Sequence, residues 1–306
     1  MGNENEFIRF DWAMKHMLRD KSNFEILEGF ISVLLGQEIK IEEILESESN
    51  QESDADKFNR VDIKAKDCKG HIIIVEVQLT TQYHYLQRIL YGTCKAVTEH
   101  LKLGEKYDKV KKVYSVSLLY CDFGQGDDYI YHGTTDFKGL HTGNDLIVRT
   151  NEDGVIIPHL PREVFPEYYL LRINKFDKMP DTPLDEWMDY LKTGVVKEDT
   201  RTPGLQRVRE KLRVLSMTKA QKEAYFRHLD LLMQQNDAYD TAISEGMAKG
   251  MEEGIAKGMA EGIAQGMVKG REEEKLEIAR KMLAGGLSPE MISSFTGLSE
   301  SDIQSL

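Results

Sequence analysis

Two apolar rhythms alternate along the chain, one repeating every three to four residues and one repeating every second residue. Phe7, Phe10, Met14, Met17 and Leu18 recur at helical spacing, with Asp11 and Lys15 one turn apart, and predict an opening helix within 7–20. Phe24, Ile26, Leu27, Phe30, Ile31, Leu34 and Leu35 predict a second helix, starting behind Ser22 or Asn23 and stopping at Gly36. Ile39, Ile41 and Ile44 predict a strand, and 46–57 a polar loop. The rhythm then changes to two. Val61, Ile63 and Ala65 alternate with Asp62, Lys64 and Lys66, and a β-branched run follows the Cys68-Lys69-Gly70 break. This predicts a β-hairpin with a three-residue loop and Gly70 in the left-handed region, pairing Lys66 with Ile72, Lys64 with Ile74 and Asp62 with Glu76. Asp62, Glu76 and Gln78 then share one face, and Ile73, Val75, Val77 and Leu79 the other.

Residues 82–101 return to helical spacing and bring Tyr85, Arg88 and Tyr91 near one face, while 110–121 is an almost unbroken apolar run, expected to be a strand buried on both sides. The predicted order is αβββαβ. Strand-like runs at 129–131, 145–149 and 168–173 are expected to extend the sheet. Pro180 and Pro183 then open a mainly α region with helices at 184–191, 206–215 and 219–235.

From Ser244 the chain repeats every four residues: Gly246, Gly250, Gly254, Gly258, Gly262 and Gly266 each precede Met or Ile, and Gly270 precedes Arg271. Each glycine costs a helix about 1 kcal/mol relative to alanine, so an isolated helix would not hold seven of them. A period of four also drifts around the helix and favours right-handed wrapping. The segment is expected to be a self-association helix; a flexible tether is the competing reading. In the last segment, Ser288-Pro289-Glu290 and Ser299 to Asp302 are helix starts, and Gly285-Gly286 and Gly297 are stops. A helix-turn-helix is one reading. Glu300 and Asp302 on its final helix favour a docking or capping tip instead, because a DNA reader needs donors there. The expected organisation is 1–176, an α/β domain; 177–243, a helical region; 244–270, the repeat helix; and 271–306, a small helical tip.

Composition narrows the function. A net charge of −12 opposes strong non-specific attraction to nucleic acid, so any DNA contact must come from a local basic patch. The best such strip holds Arg207, Arg209, Lys211 and Arg213, although a solvated helix face is the commoner outcome. Cys68, Cys94 and Cys121 are scattered, which argues against disulfides or a zinc site and for a reducing, cytoplasmic setting. No export signal or long uncharged apolar run is present, so no membrane span is expected. Gly124-Gln-Gly126 lies among aspartates with no following helix, and Asp122-Phe-Gly124 has no accompanying kinase motif.

The chemistry concentrates at the hairpin. Two carboxylates directly across a strand pair repel by about 0.2–1 kcal/mol unless a cation lies between them, which points to a divalent metal. The order αβββαβ, with Asp62 on its second strand, Glu76 and Gln78 on its third and a helix behind them, resembles the PD-(D/E)xK nuclease superfamily. With NRVDIKAKDCKGHIIIVEVQ, YLQRILYGT and the glycine-repeat tail, nearly the whole chain looks like the Rpn-type recombination-promoting, transposase-like nucleases. The resemblance implies a restriction-endonuclease-like core that hydrolyses DNA phosphodiesters with Mg²⁺ or Mn²⁺, as an oligomer. It implies that Asp62, Glu76 and the Val77 carbonyl hold the metal. Gln78 stands where the family carries lysine, and a glutamine has no positive charge to offer. Lys64 on the same face or Lys15 on the first helix are substitutes, and Glu25 or Glu28 a further carboxylate. Arg88, with Tyr85 and Tyr91, becomes a phosphate contact; without the resemblance these three read as packing residues with polar tips. The alternative function is a catalytically silent nuclease fold kept for DNA or protein binding.

Overall fold

A computed structural model describes residues 7–45, 62–101, 105–152 and 155–306. It divides into two compact units, Met1–Phe226 and Arg227–Leu306.

In the first unit, the chain enters in extended form: Ile8 N–H donates to the Leu212 carbonyl, and Phe7 bridges to Arg213. This pairing, with Phe7 and Ile8 buried, delays the predicted opening helix, so α1 is Phe10–His16. The second helix, α2, is Phe24–Leu35, and Gly36 ends it at φ 65, where only glycine turns without a Cβ penalty. The Asp20 carboxylate, rather than Ser22 or Asn23, caps the preceding turn by accepting from Ser22 N–H. Then come β1 (Ile41–Leu45), β2 (Ile63–Asp67), β3 (Ile72–Gln78), α3 (Tyr85–Glu99) and β4 (Val113–Leu119). From α2 to β4 the order reads αβββαβ. The predicted loop at 46–57 and residues Asn59 to Val61 lie outside the described residues.

The hairpin register is as expected, with Lys66 opposite Ile72 and Lys64 opposite Ile74, and Gly70 at φ 84 in its turn. Asp67 secures that turn by accepting from the Lys69 and His71 amides. Further on lie β5 (Ile130–Gly133), β6 (Val148–Glu152), β7 (Val155–His159), α4 (Pro161–Val164) and β8 (Glu167–Arg172). The main sheet has the order β1-β2-β3-β4-β8-β5; β3, β4 and β8 are parallel, and the outer pairings antiparallel. Only part of the expected extension occurs. The 129–131 and 168–173 runs give β5 and β8, but the 145–149 run gives β6, which pairs locally with β7 in a separate two-stranded sheet. Pro158, lacking an amide donor, is tolerated in such a sheet because both of its strands are edges.

One face of the main sheet carries α3. Ile72, Ile74 and Val113 bury against Ala96, and Leu119 against Tyr85 and Ile89. The other face presents Ile63, Ala65, Ile73, Val75, Val116 and Leu118, all essentially inaccessible. The remaining helices include α5 (Pro183–Thr193) and α6 (Leu205–Lys211), which pack on α2. Phe10, Phe30, Trp187 and Tyr190 join α1, α2 and α5 through edge-on ring contacts. At the α2–α6 junction a Cβ on Gly29 would stand 2.4 Å from Gly204 Cα, so backbone meets backbone there. The compact unit thus takes in α5 and α6 along with the sheet.

The predicted helices at 219–235 and 244–270 are parts of one helix, α7 (Lys219–Ala284). In the second unit, Gly286 at φ 83 turns the chain into α8 (Pro289–Thr296), and Gly297 at φ 71 into α9 (Glu300–Gln304). Ser299 caps α9 through Asp302 N–H, and Ala279, Ile292 and Ile303 form a small core. No helix among the described residues is long and apolar enough to cross a membrane.

Candidate active site

Strand alternation fixes who meets whom on the α3 face. Lys64 lies across from Ile74, and one residue further along the same register Asp62 comes level with Glu76. On the other side, β4 places Ser117 beside Glu76 and Leu119 beside Gln78. Glu76 is 4% exposed, Gln78 6%, and Asp62 half-buried.

Glu76 sits beneath the start of α3. The Tyr85 hydroxyl is 3.4 Å from its Oε2, and Arg88 Nη2 is 3.9 Å from the same oxygen. Burial pushes the Glu76 carboxyl above its ordinary value, Arg88 opposes that, and the neighbouring Asp62 charge adds to it. Burial likewise raises the Tyr85 phenol, with Glu76 as second cause. The Ser117 hydroxyl is buried without a well-formed hydrogen bond, close enough to Tyr85 to lower that phenol slightly against the larger effect. Gln82 Oε1 accepts from Arg88 Nη1 at 3.3 Å, which steadies the guanidinium. Tyr85 is buried and Arg88 half-buried, and both point their polar ends at Glu76.

Asp62 accepts from Val77 N–H through Oδ2 at 2.7 Å, while its own carbonyl accepts from Arg19 Nη2 at 2.7 Å. One oxygen of each acid, Asp62 Oδ1 and Glu76 Oε1, makes no hydrogen bond to a described residue. Gln78 Nε2 donates to the Thr80 carbonyl. With its amide nitrogen so engaged, Gln78 has an oxygen acceptor where a lysine would offer a charge.

Other expected participants are engaged elsewhere. Lys64 Nζ is 2.5 Å from Glu99 Oε2, an ion pair that ties β2 to the end of α3. Glu28 accepts from Ile41 N–H and pairs with Lys40, which fastens α2 to β1. Glu25 pairs with Arg207, whose second partner is Glu210. Arg209 and Lys211 donate to the carbonyls of Lys197 and Ser22, and Arg213 to that of Arg209. In the structure Arg207, Arg209, Lys211 and Arg213 thus each have a partner within the chain. Lys15 and Tyr91 are exposed. Among the described residues no third His, Cys, Asp or Glu joins Asp62 and Glu76.

Sequence reading missed Arg19 and Ser117. Arg19 carried no signal, because a turn after α1 brings it to Asp62. Ser117 had one: serine alternates with apolar residues in Val113–Leu119, marking a polar stripe on one face of an otherwise apolar strand.

The donor set suits a hard divalent cation. Both acids have an oxygen that makes no hydrogen bond to a described residue, and carboxylate oxygens are the ligands such an ion takes. Such ions take several waters besides a few protein ligands, so two carboxylates suffice.

Comparison with protein families agrees with this geometry. Residues 8–151 match the family described as PD-(D/E)XK nuclease family transposase, and residues 272–306 match the Rpn/YhgA-like nuclease family, C-terminal HTH domain. The second match favours the helix-turn-helix reading of α8 and α9, which their acidic residues had weighed against. No curated protein and no solved structure matches the chain. The two family matches, one at each end of the sequence, support an Rpn-type nuclease of the PD-(D/E)XK transposase family.

Proposed function

We propose that this chain is a metal-dependent DNA endonuclease with a restriction-endonuclease-like core, in which Asp62 and Glu76 form the centre. The observation that carries it is the pair of adjacent carboxylates, each keeping one uncommitted oxygen at the edge of a buried sheet face. Asp62 and Glu76 would hold Mg²⁺ or Mn²⁺, with the Val77 carbonyl and the Gln78 amide as candidate further oxygen donors. When bound, the cation lowers the pKa of water and neutralises charge that develops on the phosphate.

The chain's own groups do the rest. Val77 N–H fixes one Asp62 oxygen, leaving the other aimed by the hairpin. Tyr85 and Arg88 hold Glu76 against the pull of burial toward its protonated form. Arg88, the cation beside Glu76, takes the part of the absent lysine by meeting the DNA phosphate, and Tyr85 positions it. Gln78 orients water or phosphate as an acceptor. The protein works as a homo-oligomer assembled through residues 244–270, and its C-terminal helix-turn-helix adds DNA contacts.

Plasmid DNA incubated with the purified chain is expected to be nicked or cut only with Mg²⁺ or Mn²⁺. Asp62→Ala and Glu76→Ala each abolish that activity. Undiminished cutting by both variants would reject the site; DNA binding by the native chain with no cutting under either metal would favour the silent-fold reading.

A further inference from the structure

The cations expected to meet DNA on α6 are engaged within the chain, and so are several lysines of the main sheet: Lys40, Lys64, Lys66 and Lys112 each reach a carboxylate. At one end of that sheet stand four lysines that do not. Lys69, Lys106, Lys109 and Lys111 form no ion pair or side-chain hydrogen bond with a described residue. The first three are exposed, and Lys111 is half-buried.

The backbone brings these four together. Ile72 N–H donates to the Lys112 carbonyl at 2.8 Å, which fixes the segment before β4 against the hairpin turn. Lys111 lies over that turn: a Cβ on Gly70 would stand 3.3 Å from Lys111 Nζ, and Lys69 is the next residue along. Lys106 and Lys109 bound a single short turn, in which Lys109 N–H donates to the Lys106 carbonyl and Val110 N–H to that of Tyr107, both at 3.1 Å. Tyr107, within that turn, is 86% exposed. The acids of the same stretch are Glu105 and Asp108, so positive charge leads locally in a chain whose net charge is −12.

The chemistry of the patch selects its partner. Lysine ammoniums are hydrated point charges that suit backbone phosphates, and a phenol in the open adds a further phosphate donor. A protein partner needs an apolar centre to its interface, and residues 105–112 expose no large apolar side chain besides Tyr107. We propose that Lys69, Lys106, Lys109 and Lys111, beside Tyr107, form a contact for the phosphate backbone of duplex DNA, separate from the acid pair. Gly70 and Glu76 lie roughly 20 Å apart along β3, at about 3.3 Å per residue. That is about six base pairs of duplex, so the patch grips DNA flanking the cut and adds affinity without reading sequence. The proposal rests on DNA being what the acid pair acts on, but binding without metal requires no cutting.

The test is binding of a labelled duplex of about 30 base pairs to the full-length chain in EDTA, followed by anisotropy over a salt series. A variant carrying Lys69→Gln, Lys106→Gln, Lys109→Gln and Lys111→Gln is expected to bind at least about tenfold more weakly. Its slope of log affinity against log salt is expected to be shallower by about 2–4, since each lost lysine–phosphate contact removes about 0.9. A control of equal charge, with Lys21→Gln, Lys175→Gln, Lys197→Gln and Lys219→Gln at exposed positions elsewhere, keeps the native slope. The native slope in the patch variant, equal losses in patch variant and control, or no duplex binding by the native chain at low salt would each overturn the contact. A slope difference in a chain that cuts no plasmid leaves the contact standing and rejects the nuclease centre; cutting with no slope difference does the reverse.

Discussion

At the scale of single residues, the site turns on how burial and charge divide the work at Glu76. Its folded pKa lies above the ordinary 4.5, chiefly through burial. A raised carboxyl contributes stability that is present below the ordinary value and is lost as pH rises through the folded value. Glu76→Gln removes that penalty. Without divalent metal, its melting temperature is expected to match the native one near pH 4 and exceed it progressively toward pH 7, read by calorimetry; a constant offset across that range would contradict the assignment. Arg88→Ala is expected to lower cleavage about 100-fold, the size seen when a charge-stabilising donor is lost. Arg88→Lys should keep more activity than Arg88→Ala; equal losses would leave Arg88 with a packing role only. That Asp62 and Glu76 share a face was legible from alternation together with the three-residue turn at Gly70, which sets the register of the two strands. The destinations of Lys64, Glu25 and Glu28 were not, because each depends on a partner far away in sequence: Glu99, Arg207 and the Ile41 amide.

Elements follow a similar division. Helix α2, the hairpin, β4 and the α8–α9 turn were legible because each has a local signal: Gly36, Gly70, an apolar run, Gly297. The start of α1 was not, since a distant strand-like pairing with Leu212 and Arg213 sets it. Nor was the separate β6–β7 sheet, because an apolar strand signal does not say which neighbour it joins. The α2–α6 junction is the tightest of these tertiary features. Gly29→Ala would drive a methyl group into the Gly204 backbone and is expected to destabilise the protein by about 1–3 kcal/mol or more, measured by urea unfolding. Gly258→Ala has open space around it and should raise the stability of an unpaired α7 by about 1 kcal/mol.

On the scale of the whole chain, residues 1–226 form their own compact unit, and the repeat belongs to the other. A chain ending at residue 243 is therefore expected to fold, show native-like near-ultraviolet dichroism and run at the mass of one copy; an unchanged oligomeric mass would remove residues 244–270 from the assembly. Acidity pervades both units: residues 227–306 carry eight Lys and Arg against fourteen Asp and Glu, so bulk charge does not favour DNA, and the proposed nuclease role relies on placed groups such as Arg88 instead. The turn at Cys68-Lys69-Gly70 bears on how such a sequence can drift. Cys68 and Lys69 are exposed and open to substitution, but the number of residues between Asp67 and His71 sets the phase of the strand that follows. A single codon gained or lost there would swap the sides of β3 relative to β2, parting Asp62 from Glu76. As far as register decides, lineages of this protein should thus vary freely at Cys68 and Lys69 while keeping the glycine at Gly70 and the length of the turn constant.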